Sequence, residues 1–122
     1  DLRLDHTLAS LSAINRDHSA RVIILVGEID TVVWVKGKWS CEIPVGTRLS
    51  LWPLGEQFFH SSTGLKYSLK DLTLHPLNLI GTSNETIERK FSLHPSENYS
   101  SRYVTIIPSK YFLNLYNSII DE

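Results

Sequence analysis

Five cations occupy the middle of the chain: Lys36 and Lys38 on either side of Gly37, then Arg48, Lys66 and Lys70. Ammonium and guanidinium groups converging from a turn and its neighbouring strands hold phosphate or carboxylate oxygens through charge-assisted hydrogen bonds. Resolved along the chain, residues 1–30 carry a formal -2, residues 31–70 carry +3 and residues 71–122 carry -2. The net charge is only -1, so there is no bulk field to attract a polyanion, and any anion contact must be local and one-sided. The competing reading is that turn and edge lysines are solvated and merely deter strand-edge pairing. Aromatics supply the second candidate. Trp34, Trp39 and Trp52 lie close together, followed by Phe58-Phe59. Exposed, such a set stacks bases or clasps a peptide; buried, each ring supplies roughly 150–250 Å² to the core. The core reading is favoured for two of the three.

Enzymatic and metal-binding sets do not assemble. His6, His18, His60, His75 and His94 are scattered singly, without His-x-x-x-His or Cys-x-x-Cys spacing, so no metal or other cofactor and no catalytic residue is expected. Cys41 shares a strand face with Trp39 and Ile43 and reads as a buried, inert thiol. Asn84-Glu85-Thr86 and Asn98-Tyr99-Ser100 fit the glycosylation pattern, read as chance because no secretory signal opens the chain.

These residues need elements to position them. A chain of 122 residues with 42% hydrophobic side chains is long enough for one ordinary domain and too apolar for disorder. No apolar run approaches the roughly 20 residues that span a bilayer, and the lone cysteine cannot form an internal disulfide. The start at Asp1, with no methionine in the chain, reads as a domain cut from a longer protein. Residues 1–20 form a lead-in, weakly helical over 7–14 and capped by Thr7 or Asp5. Residues 21–122 form a single β domain closed by a helix at 109–121. The apolar run from Arg21 to Val35 predicts one long strand bent at Gly27. Lys36-Gly37-Lys38 then reads as a hairpin turn into Trp39–Ile43, which makes Trp34 and Trp39 cross-strand neighbours. Further strands are expected at 47–52, 57–60, 65–74, 91–93 and 103–107. Residues 61–64 read as a plain loop, and 76–88 as the most mobile surface. Ser109 is the expected cap of a helix whose stripe is Phe112, Leu115, Tyr116, Ile119 and Ile120.

About seven antiparallel strands with a C-terminal amphipathic helix make a mostly-β or α+β fold of curved sheets, with the helix covering their open end. On Leu65-x-Tyr67-x-Leu69-x-x-Leu72-x-Leu74, the strands Phe91-x-Leu93 and Tyr103-x-Thr105-Ile106, and the helix from Ser109, the chain resembles a pleckstrin-homology-like domain. The tryptophan usual in that family's last helix is absent, with Phe112, Leu115 or Tyr116 the large residues there. The resemblance implies a non-enzymatic, intracellular module that recruits a larger protein to a phosphoinositide-containing membrane or a protein partner. Lys36, Lys38 and Arg48 would meet the headgroup, with Lys66 and Lys70 widening the patch. The alternative architecture is an OB-fold, favoured by the long bent first strand, which would bind single-stranded nucleic acid, in a nuclear setting, through Trp34, Trp39 and Trp52.

Overall fold

The computed structural model describes residues 3–16, 22–96 and 101–120. The expected turn at Glu97-Asn98 and the helix end at Asp121 lie outside them. Helix α1 (Leu4–Arg16) is followed by nine strands: β1 (Val22–Val26), β2 (Asp30–Val35), β3 (Trp39–Glu42), β4 (Arg48–Pro53), β5 (Gln57–Thr63), β6 (Leu72–Leu74), β7 (Gly81–Glu85), β8 (Lys90–Pro95) and β9 (Tyr103–Pro108). A short 3-10 turn, Ser109–Tyr111, leads into α2 (Phe112–Ile120). The strands form two antiparallel sheets, one of order β1-β2-β9-β4-β7 and one of order β3-β8-β5-β6. The fold is thus mostly β, with a C-terminal helix.

The core lies between the sheets. Alternation in β4 sends Leu49 and Leu51 inward, where they meet Val33, Trp39, Phe59, Phe91, Leu93, Ile107 and Leu115. Each such side chain contributes about 1.5–3 kcal/mol by leaving water. A smaller cluster sits on the outer face of the five-stranded sheet, where Leu11 and Ile14 of α1 cover Trp34 and Val104. Helix α2 packs on β3, an edge strand of the four-stranded sheet, and inserts Leu115 into the core.

Several expectations are corrected. The run 21–35 is two strands, since Val26 pairs with Thr31 and Val22 with Val35. Gly27 N–H donates to Asp30 O at 2.9 Å, so the polar Gly27-Glu28-Ile29-Asp30 step folds the run back on itself. Lys36-Gly37-Lys38 is no hairpin either. Strand β2 pairs with β9 while β3 pairs with β8, so the turn carries the chain from one sheet to the other. Trp34 therefore lies under α1 and Trp39 between the sheets, not side by side. Residues 61–63 continue β5, and the tract read as mobile contains β7, laddered to β4. Ser109 caps no helix: its hydroxyl donates to Gly27 O at 2.7 Å and pins the β1–β2 turn. The first and last strands of the five-stranded sheet, β1 and β7, do not pair with each other, so the sheet does not close on itself as the five-stranded barrel of the OB-fold reading would.

Candidate functional site

The segment 64–69 is built by interruptions. Gly64 lies at φ +76°, and a Cβ there would stand 2.2 Å from Lys90 O, so only glycine turns the chain out of β5 at this point. From there the backbone runs beside β7: Ile87 N–H donates to Gly64 O at 2.9 Å and Lys66 N–H to Glu85 O at 2.8 Å. At Tyr67 this ladder ends and a side chain replaces it. Asn84 Nδ2 donates to Tyr67 O at 2.9 Å, while Asn84 Oδ1 accepts from Tyr67 N–H at 3.1 Å and from Glu85 N–H at 2.9 Å. The carboxamide thus does for Tyr67 what a partner peptide would do, and its buried polar atoms are satisfied in doing so.

Beside it, Ser83 sits at φ +61° inside β7, and its N–H donates to Ser50 Oγ at 3.0 Å where the β4–β7 register shifts. A non-glycine residue in that region costs of order 1 kcal/mol, and such strain gathers at functional sites. Leu65 and Leu69 are buried and anchor the two ends of the segment. Tyr67 between them is turned outward, 58% exposed, with Lys66 Nζ 5.6 Å from its ring centroid. Fixed backbone and exposed ring together give a surface on which a flat ring could stack.

A half-open cleft of about 420 Å³ lies between β3 and α2, lined by Glu42, Ile43, Pro44, Val45, Arg89 and Asn114. Its backbone polar groups are engaged, Glu42 O by Asn114 Nδ2 at 3.0 Å and Arg89 O by Ile43 N–H at 2.9 Å. Cys41 lies next to it, its thiol pushed up to about 11 by burial, which leaves almost no thiolate at neutral pH. Among the described residues no group of three His, Cys, Asp or Glu is placed to hold a metal.

The five cations named from the sequence do not share one place. Arg48 Nη2 is bound to Asp30 Oδ1 at 2.8 Å, at the start of β2. Lys36 and Lys38 follow the end of β2, roughly 17 Å further along at 3.3 Å per residue. Lys66 is on the other side of Glu85 from Arg48, with β7 between them, and lies over Tyr67. Lys70 is exposed in the turn after Leu69. Trp34 and Trp39 are buried, whereas Trp52 is 36% exposed. Tyr67, Ser83 and Asn84 were missed as a group. Their signal was the Ser-Asn-Glu tract after Gly81, which reads as loop because polarity hides the strand.

Residues 41–96 match the family model described as thiamin pyrophosphokinase, vitamin B1 binding domain. That span contains Trp52, Tyr67, Ser83 and Asn84. The fold is that of solved thiamin pyrophosphokinases. The enzyme from Candida albicans superposes with a TM-score of 0.70 at 21% identity, over 88% of this chain and 41% of its own. The Bacillus subtilis enzyme gives 0.68 at 19%, over 89% and 51%, and the yeast enzyme 0.67 at 14%, over 88% and 37%. This chain therefore spans about half, or less, of the length of these structures. No curated protein sequence matches it.

These findings overturn the pleckstrin-homology-like and OB-fold readings. They also overturn the expectation of a non-enzymatic recruiter with phosphoinositide, membrane-lipid or nucleic-acid partners, because the matched domain and the neighbouring structures are those of an enzyme acting on a vitamin. No helix among the described residues is long and apolar enough to cross a membrane.

Proposed function

We propose that this chain is the thiamine-binding part of a thiamin pyrophosphokinase-like enzyme. The observation that carries the reading is coincidence of place: the vitamin B1 binding model covers 41–96, and within that span the Asn84 carboxamide holds the backbone of Tyr67, whose ring is exposed. Thiamine is an aminopyrimidine joined to a thiazolium cation, two flat rings suited to stacking on such a ring. Transfer of pyrophosphate is proposed only for a whole enzyme of which such a domain forms part, and no residue here is assigned to that step. An intracellular setting belongs to the same reading, and the free, buried Cys41 suits it.

Calorimetric titration of the chain with thiamine tests the proposal. Saturable binding is expected, weakened about tenfold or more by Tyr67→Ala, since one aromatic stacking contact is worth about 1–3 kcal/mol. Absence of binding at millimolar thiamine, or unchanged affinity in Tyr67→Ala, overturns it.

A further inference from the structure

Lys66 is the one of the five central cations that sits on the candidate platform. Its backbone N–H is tied to Glu85 O at 2.8 Å, which fixes the root of the side chain beside Tyr67. Its ammonium lies 5.6 Å from the Tyr67 centroid, within reach of the electron-rich face of the ring. Among the described residues Lys66 makes no ion pair, and Arg48, the other cation flanking Glu85, is taken by Asp30. The ring thus carries a resident cation with no carboxylate paired to it.

We infer that Lys66 is a specificity residue that sets the charge preference of the Tyr67 platform, penalising a permanently cationic ring relative to a neutral one. The inference rests on the thiamine reading above. A thiazolium that stacks on the Tyr67 face held by Lys66 displaces the ammonium, which gives up its contact with the ring. The displaced ammonium stays tethered one residue away, so like charges then face each other. A neutral aminopyrimidine meets no such repulsion. The penalty is modest because the site is wet, about fivefold in affinity, and it is screened by salt.

The test titrates the chain with thiamine and with its neutral fragment, 4-amino-5-hydroxymethyl-2-methylpyrimidine, in wild type, Lys66→Met and Lys66→Arg. Lys66→Met keeps the side-chain length and removes the charge; it is expected to tighten thiamine about fivefold and to move the neutral fragment less than about twofold. Lys66→Arg is expected to restore the wild-type values. Raising the salt is expected to tighten thiamine in wild type and leave Lys66→Met unchanged, a response that a merely structural lysine would not give. If both ligands bind and Lys66→Met shifts neither, shifts both alike or weakens thiamine, the inference fails while the thiamine reading stands. If neither ligand binds any of the three proteins, both fall together.

Discussion

In β4, Leu49 and Leu51 alternate with Arg48, Ser50 and Trp52, and the chain obeys the pattern: both leucines are fully buried and Trp52 faces out. In 65–69 the pattern is the same, with Leu65, Tyr67 and Leu69 at every second position, yet the leucines are buried and the tyrosine between them is exposed. The difference lies in what receives the backbone. Strand β4 is laddered on both sides, by β9 and β7, so every residue must keep the pleat. The segment 65–69 runs beside β7, and at Tyr67 that neighbour offers a side-chain amide instead of a peptide. A side chain can pair a residue without imposing the pleat, which frees Tyr67 to turn out while its backbone stays fixed.

The largest test of this contrast is Leu51→Ala. Chemical denaturation should show a loss of about 2–5 kcal/mol, the cost of a cavity in a packed core, whereas Tyr67→Ala should stay within about 1 kcal/mol of wild type. Equal losses would mean that Tyr67 is structural after all. Next in size is Asn84→Ala, expected to cost about 1–3 kcal/mol because it strands the N–H and C=O of Tyr67 together with Glu85 N–H, and also to weaken thiamine binding. A fully stable Asn84→Ala protein that binds thiamine normally would break the clamp argument.

Two smaller effects probe the regular side of the comparison. Burial raises the thiol of Cys41 to about 11 and raises the phenol of Tyr103 as well. Both acids hold their protons longer in the folded state. The stability they carry is therefore whole below their unfolded values and declines as pH rises from about 9 towards 11. Denaturation midpoints should fall over that window, with a shallower slope in Cys41→Ala. Smallest is Tyr103→Phe. Among the described residues the Tyr103 hydroxyl is buried without a hydrogen-bond partner, so its removal should be neutral or stabilising by up to about 1 kcal/mol in a thermal melt.

These contrasts mark what the residues alone could reveal. Where a strand is laddered on both sides or buried on one face, periodicity identifies it, as in 39–43, 47–52, 91–93 and 103–107. Where a polar step folds an apolar run back, as at Gly27-Glu28, the composition of both arms is the same and the turn reads as a kink. Strand β7 escaped because Thr82, Ser83 and Glu85 are exposed and its only buried side chain is an asparagine, so neither hydrophobic pattern nor β propensity marks it. The basic residues misled for a related reason. Their spacing is visible in sequence, but their separation depends on which strand ends lie side by side, Arg48 beside Asp30 and Lys66 beyond Glu85, which spacing does not encode. The Tyr67 site needs three residues, Gly64, Tyr67 and Asn84, brought together by backbone bonds between distant segments, and no local rule links them.

The order of the five-stranded sheet bears on how the chain assembles. Strand β9, last of the nine among the described residues, is the middle of that sheet, between β2 and β4. Until it arrives, both of those strands offer bare hydrogen-bonding edges, and α1 has no Val104 to close on. Folding must wait for a pairing between residues more than seventy positions apart, such as Thr31 with Ile107, which places the domain among the slow, millisecond-to-second folders. During synthesis the hairpin of β1 and β2 emerges well before β9 and until then stays open to wrong partners. The strand that completes the sheet thus also sets the moment at which the edges of β2 and β4 are protected from wrong pairing.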